Sequence, residues 1–250
     1  MSSFVKFLRP LADKVISRVP WKWSRLIRDR ALLKLVLDEL HINCVLDVGA
    51  NLGQYGILLR RLGYRGYIVS FEPVRENYET LKLVAAQRGP WKVFPYALGA
   101  HNEQRQINIT AETVFSSFLL PKEQSQVRFR GNRVTRTEKV DICRLDQVME
   151  VCLEGIPSPR IYLKLDTQGF DLSVMEGAQS ILQTELSLHN IYHGMQSFID
   201  SIARFQAFGF EVIDFVTVNR DMDELCALEM DCIMARKPAW QHASDSSSTR

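Results

Sequence analysis

The chain contains no run of 18 apolar residues, so no segment is long enough to span a bilayer as a helix. It has little cysteine. Cys44, Cys143, Cys152, Cys226 and Cys232 make an odd count with no CxxC pair. That excludes a disulfide framework and a zinc ribbon as the organising element, and reads as reduced thiols in a cytoplasmic protein. Net charge is also low. Lys+Arg 31 against Asp+Glu 29 leaves +2 over 250 residues, which argues against a nucleic-acid binder and against an acidic disordered chain. A secretory leader is not expected, because Lys6, Arg9 and Asp13 interrupt the apolar residues near the start. No repeat with a period of 20–50 residues is visible.

Hydrophobic residues make up 46% and charged residues 24%, enough apolar material for a buried core without staples. From about residue 42 the pattern alternates between strand and helix. CVLDVG reads as a buried strand and YGILLRRLG as a helix ending at Gly63. GYIVSFEP is a strand, RENYETLKLVAAQRG a helix ending at Gly89, and WKVFPYAL a third strand. Further on, QRQINIT, KVDICRL, RIYLKLD and TELSLH read as strands. A helix is expected from about Leu172 and another over SFIDSIARFQAFG. FEVIDFVTV and MDCIMARK close the pattern as a candidate antiparallel pair at a sheet edge. Apolar strands alternating with helices imply an α/β fold with a mostly parallel sheet covered on both faces. The expected organisation is a helical arm over 1–40, one α/β domain over 41–240 and a polar tail over 241–250.

The small net charge hides an asymmetry. Residues 1–34 hold nine Lys+Arg and two Asp+Glu, which is +7, whereas the remainder hold 22 and 27, which is −5. A basic helical arm carrying Trp21 and Trp23 suits docking on the domain, covering an acceptor site, or peripheral contact with a membrane surface. Arg128, Arg130, Arg133 and Arg136 lie in a polar stretch between strands. That stretch suits a solvated flap or a phosphate contact on an acceptor.

The most informative segment is VLDVGANLGQYG at 45–56. A buried strand ends in Asp47, and Gly49 and Gly53 bracket a tight turn into a helix whose N-terminus offers free N–H groups. The next strand ends in Glu72, 23 residues after Gly49, where a carboxylate can take both hydroxyls of a ribose. A nucleoside cofactor is expected at the carboxyl ends of the first two strands. The middle glycine of a dinucleotide fingerprint is missing, and Asp47 would repel a pyrophosphate but attract an ammonium. S-adenosylmethionine carries an ammonium and a sulfonium and no phosphate, so the charge logic favours it. Two other readings stay open from the residues alone: a nucleotide-dependent oxidoreductase, and a non-catalytic cofactor-binding or scaffolding module.

VLDVGANLGQYG, SFEPVRENYETL, ALG at 97–99, SSF at 116–118 and YLKLDTQGFDLSVMEGA at 162–178 together resemble the FkbM family of S-adenosylmethionine-dependent methyltransferases. The similarity runs through most of residues 43–235 and leaves out residues 1–40. It implies a class I methyltransferase fold: a Rossmann-like three-layer sandwich on a seven-stranded sheet with an antiparallel edge strand. It also implies methyl transfer, mostly to a hydroxyl oxygen of a sugar, glycolipid or other secondary metabolite. By the same resemblance, Gly49, Ala50, Asn51 and Gly53 wrap the methionine end of the cofactor, with Tyr55 beside it. Glu72 binds the ribose, Pro73 and Asn77 lie close to the adenosine, and Ala97 and Leu98 flank the adenine. Ser117 belongs to a pocket loop, and Asp166 stands where cofactor and acceptor meet. Asp171 occupies a position where Glu is common in the family.

Transfer from a sulfonium needs alignment and a group to take the acceptor proton, but no acid for the leaving thioether. The expected base sits at the carboxyl end of a strand. Asp166 satisfies this, as does His189, with His193 four residues on. Asp166 also suits cofactor orientation, and each histidine alone suits a surface or packing role. Asp166, Asp171 and His189 have the ligand types for a divalent cation, but their spacing does not demand one, and no metal is expected.

Overall fold

The computed structural model describes residues 21–125, 129, 131–168, 181–189, 191–221 and 226–236. The first twenty residues of the basic arm, Arg128, Arg130, Asp171, the helix expected from Leu172 and the polar tail lie outside these. Helix α1 (Trp21–Glu39) leads into strand β1 (Cys44–Val48), and the Gly49–Gly53 turn connects it to α2 (Gln54–Arg61). Strand β2 (Tyr67–Phe71), helix α3 (Arg75–Ala85) and strand β3 (Trp91–Phe94) continue the alternation. Three strands of a second sheet follow: β4 (Ala97–Gly99), β5 (Glu103–Thr110) and β6 (Val134–Arg144). The chain returns through α4 (Leu145–Leu153), β7 (Ile161–Leu165), β8 (Ile181–Ser187), α5 (Phe198–Ala207), β9 (Phe210–Asp221) and β10 (Cys226–Arg236).

The large sheet has seven strands in the order β3-β2-β1-β7-β8-β10-β9. Pairs β3/β2, β2/β1, β1/β7 and β7/β8 are parallel, and β10 is antiparallel to both neighbours. This is the expected class I methyltransferase architecture, with one correction. The antiparallel strand stands one place in from the edge, and β9 is the edge. Burial accounts for the swap: Leu228, Cys232, Ile233, Met234 and Ala235 of β10 are buried, whereas β9 leaves Phe215 and Val218 exposed. WKVFPYAL is likewise not one strand. It divides at Pro95 and Tyr96 into β3 and β4, which belong to different sheets. Proline cannot donate to a ladder, so pairing stops there.

Strand periodicity of two sorts the core into layers. Cys44, Leu46 and Val48 of β1 and Ile161, Leu163 and Leu165 of β7 face one way. There they meet Leu145 and Cys152 of α4 and Phe205 of α5. Val45 and Tyr162 face the other way, onto Leu33 and Leu37 of α1 and Leu59 of α2. The second half of α1 therefore docks on the domain through its apolar side. The three-stranded sheet, order β4-β6-β5, packs Ile107, Ile109 and Val140 with Val74 beside the carboxyl ends of β1 and β2. Among the described residues no helix is long and apolar enough to cross a membrane. Among the described residues no two cysteines form a disulfide.

Candidate active site

A cavity of about 370 Å³ opens at the carboxyl ends of β1, β2, β7 and β8. Its rim begins at the glycine turn. Gly49 has a φ of 78°, and a Cβ there would lie 2.0 Å from the carbonyl oxygen of Asp166, so only glycine lets the two strand ends approach. The N–H groups of Gly49 and Ala50 both donate to the Phe71 carbonyl at 3.1 Å, tying the turn to the end of β2. The Asn51 side-chain amide donates to the Thr113 hydroxyl at 3.0 Å, so the turn is also fastened to the 3₁₀ turn Thr113–Phe115. Gly53 caps α2 in a left-handed conformation and lies behind the cavity wall, against Leu81 and Trp91.

Glu72 lines the cavity yet is only 4% exposed. Its two oxygens accept from the Asn51 N–H at 2.7 Å and the Val74 N–H at 2.9 Å, which aims the carboxyl across the cavity mouth. Burial pushes its pKa up to about 7 despite those hydrogen bonds. Pro73, Ala97, Leu98 and Ser117 line the same side. The Ser117 hydroxyl donates to the Gln168 carbonyl at 3.0 Å and accepts from the Leu119 N–H, so the loop between β5 and β6 closes over the strand ends. Asn77 is buried behind Glu72 and does not line the cavity.

The cavity floor is a polar row of which sequence reasoning found only Asp47. Ser70, Asp47, Lys164 and Gln183 are successive register partners across β2, β1, β7 and β8. Asp47 is fully buried below the cavity rather than lining it. It accepts from the Ser70 hydroxyl at 3.3 Å, and that hydroxyl in turn accepts from the Trp91 indole N–H at 2.9 Å. Lys164 does line the cavity. Its ammonium donates to Asp166 Oδ2 at 2.7 Å, lies 3.7 Å from Asp47 Oδ1 and sits 5.2 Å from the centre of the Tyr55 ring. Burial alone would lower its pKa, but Asp166 and Asp47 outweigh that and raise it. Burial likewise opposes the Asp166 charge, and Lys164 prevails, holding that carboxyl below the ordinary range. Tyr55 and Tyr162 both donate to Gln183 Oε1, at 2.8 and 2.6 Å, which sets the phenol of Tyr55 against the floor.

On the far side stand Glu185 and Asp231, register partners on β8 and β10, both lining the cavity. The Gln168 side-chain amide donates to Asp166 Oδ1 at 3.2 Å and to Glu185 Oε2 at 3.1 Å. A charged residue within an otherwise apolar strand was the available signal for Lys164, since such residues are rarely buried without a partner, whereas Glu185 follows Gln183 and Thr184 and carries no such signal. The histidines lie elsewhere. His189 is exposed and borders a separate depression of about 630 Å³ with Lys122 and Ser125, its ring nitrogen 4.0 Å from the Cys226 sulfur. His193 is exposed, and its backbone N–H donates to the Leu120 carbonyl at 2.9 Å. Among the described residues no group of three His, Cys, Asp or Glu side chains is placed to hold a metal ion.

With that geometry in place, residues 47–213 match the methyltransferase FkbM domain, more than half of the chain. The chain belongs to the FkbM methyltransferase family. The nucleotide-dependent oxidoreductase reading is thereby set aside. Among solved structures, the FkbM methyltransferase of Methylobacillus flagellatus aligns at 14% identity with a TM-score of 0.47. That alignment covers 76% of this chain and 43% of that one, so this FkbM chain spans less than half of that relative's length. A 1,6-didemethyltoxoflavin N1-methyltransferase of Burkholderia thailandensis, with S-adenosylhomocysteine bound, aligns at 10% identity and a TM-score of 0.41. It covers 94% of this chain and 91% of that one. A precorrin-6y C5,15-methyltransferase of Geobacter metallireducens aligns at 12% identity and a TM-score of 0.41, covering 83% and 87%. No curated protein matches the chain.

Proposed function

We propose that this FkbM methyltransferase uses S-adenosylmethionine and transfers its methyl group to a hydroxyl oxygen of a sugar, glycolipid or other secondary metabolite. The observation that carries the reading is Glu72: a buried carboxyl, fixed by two backbone N–H groups, at the mouth of a cavity that begins at a glycine turn. A ribose diol is the natural partner of a carboxylate so placed. The fit extends to the rest of the cofactor. Gly49 and Ala50 of the turn line the cavity beside Asp166, where a methionine chain can run. Ala97 and Leu98 supply an apolar flank for an adenine. Among the described residues lining the cavity Lys164 is the one cation, and it is committed to Asp166 and Asp47. A pyrophosphate would find no counter-charge there, whereas a cationic cofactor meets Asp166 and Glu185.

When bound, the cofactor supplies an activated methyl group on a sulfonium. The protein's part is to hold Glu72 against the ribose, keep Asp166 ionised beside the cationic end, exclude water with the loop around Ser117, and orient the acceptor. The carboxyl-rich wall formed by Asp166, Glu185 and Asp231 suits a neutral polyol acceptor better than a phosphorylated one. Titration calorimetry with S-adenosylmethionine and with NADH tests the reading. Binding of the first and not the second is expected, and Glu72→Ala should abolish it. Failure to bind S-adenosylmethionine would sink the proposal.

A further inference from the structure

We propose that Glu185 takes the proton of the acceptor hydroxyl, and that Gln168 couples it to an Asp166 which Lys164 keeps as a fixed anion. This rests on the function proposed above. The argument is one of position. His189 and His193 do not reach the cavity. Asp166 holds the Lys164 ammonium at 2.7 Å, and an ion-paired carboxylate is a weak proton acceptor. Glu72 is engaged by the Asn51 and Val74 N–H groups at the opposite wall. Along the sheet order β1-β7-β8-β10, the glycine turn is followed by Asp166, then Glu185, then Asp231. Glu185 is therefore the next carboxyl beyond the cationic end of the cofactor, and the Gln168 amide holds its Oε2 at 3.1 Å.

The charges around Glu185 explain how it would work. It is faced by Asp166 just after β7, by Glu229 and Asp231 from β10, and by the phenol of Tyr192. Glu229 is itself buried, and its Oε1 has no hydrogen-bond partner among the described residues. Among the described residues lining the cavity Lys164 is the one cation, and Asp166 holds it at 2.7 Å. Burial first, and then the Asp166 and Glu229 charges, push the Glu185 carboxyl well above the usual carboxylate range, which favours its protonated form until a cation arrives. A sulfonium entering beside Asp166 adds one positive charge and drives that proton out, leaving Glu185 as a carboxylate. In the transfer the acceptor O–H bond breaks and its proton goes to Glu185. The new O–C bond forms as the S–C bond breaks, with the electron pair staying on sulfur. The sulfonium and the carboxylate are neutralised together, so the site ends with a neutral thioether and a neutral acid.

The test needs no acceptor. Calorimetry on the full chain, at one pH in two buffers of different ionisation enthalpy, counts protons released on binding. S-adenosylmethionine and its neutral product S-adenosylhomocysteine are the two probes. S-adenosylmethionine should release more protons than S-adenosylhomocysteine, and the difference should vanish in Glu185→Gln while S-adenosylhomocysteine still binds. Glu72 cancels from the comparison because both probes present the same ribose. Equal proton counts in the unaltered protein overturn the assignment, and so does a difference that survives in Glu185→Gln. Absence of binding by either probe overturns the proposed function instead. If circular dichroism shows Glu185→Gln unfolded, Gln168→Leu serves in its place. Removing the amide should move the pH at which the difference appears, and an unmoved midpoint counts against the coupling.

Discussion

Asp47 and Lys164 are register partners on neighbouring parallel strands, and the Lys164 ammonium lies 3.7 Å from Asp47 Oδ1 beneath the cavity floor. Both side chains are almost wholly buried. The pair changes the meaning of the acid at the end of β1. From the glycine turn, Asp47 reads as a direct contact to a cofactor ammonium. In the fold it is a strut, held by Ser70 and Trp91 on one side and facing on the other a lysine that itself reaches Asp166.

Lys164→Met should destabilise the protein by about 3–5 kcal/mol near pH 8, the range seen when one partner of a buried ion pair is removed. The buried Asp47 and the part-exposed Asp166 would lose their shared counter-charge. The loss should shrink as pH falls and those carboxyls protonate. Urea unfolding at several pH values measures both effects, and a cost independent of pH would contradict the ion-pair account.

Gly49→Ala should cost more than the ~1–3 kcal/mol of left-handed backbone strain alone, because the new Cβ would meet the Asp166 carbonyl at 2.0 Å. The glycine turn would have to move away from the end of β7. Thermal unfolding and S-adenosylmethionine affinity should fall together.

Glu72 sets a pH dependence with a definite sign. Its folded pKa of about 7 stands above its ordinary value of 4.5, so the folded protein keeps a proton that the unfolded chain releases. The stabilisation this gives is complete below pH 4.5 and is lost as pH rises through 7. Glu72→Gln should therefore make the ligand-free protein more stable at pH 8, by on the order of 3 kcal/mol. Affinity for S-adenosylhomocysteine, which presents the same ribose without the sulfonium charge, should move oppositely. In the unaltered protein it should weaken roughly tenfold per pH unit below 7, as the carboxylate proposed to hold the ribose protonates. That slope should be absent in Glu72→Gln, and a variant retaining it would remove Glu72 from the ribose.

Gly56 marks a contact behind the site. A Cβ there would fall 2.2 Å from the Trp91 ring, whose N–H holds Ser70 and through it Asp47. Gly56→Ala should be destabilising in spite of alanine's better helix propensity, which alone favours it by about 1 kcal/mol. Pairing it with Trp91→Leu should recover part of the loss. Equal stability of the single variant and the unaltered protein in denaturant unfolding would show that α2 is not pressed on the indole.

Much of the fold was legible because its signals are local. The period of β1 and β7, the stop at Gly63 and the spacing from Gly49 to Glu72 depend on residues close in the chain, and each matches the structure, whereas α3 ends at Ala85, short of Gly89. Pro95 was a readable break that the apolar run WKVFPYAL concealed. The place of the antiparallel strand was not readable, because the competition between β9 and β10 for the interior turns on which buries more apolar surface.

The sequence by itself determined the strand–helix alternation, the glycine turn, the acid at the end of β2 and the family blocks that name the chemistry. These follow from side-chain periodicity and from backbone conformations that only particular residues adopt. Only the tertiary structure decided which ionisable groups meet. Asp47 and Lys164 are more than a hundred residues apart and become neighbours through strand register. Gln168 joins Asp166 to Glu185 across two strand ends, while His189 and His193 turn away from the cavity. A carboxyl's role depends on burial and on the charges within a few ångströms, and both are properties of the packed sheet rather than of the order of residues along the chain.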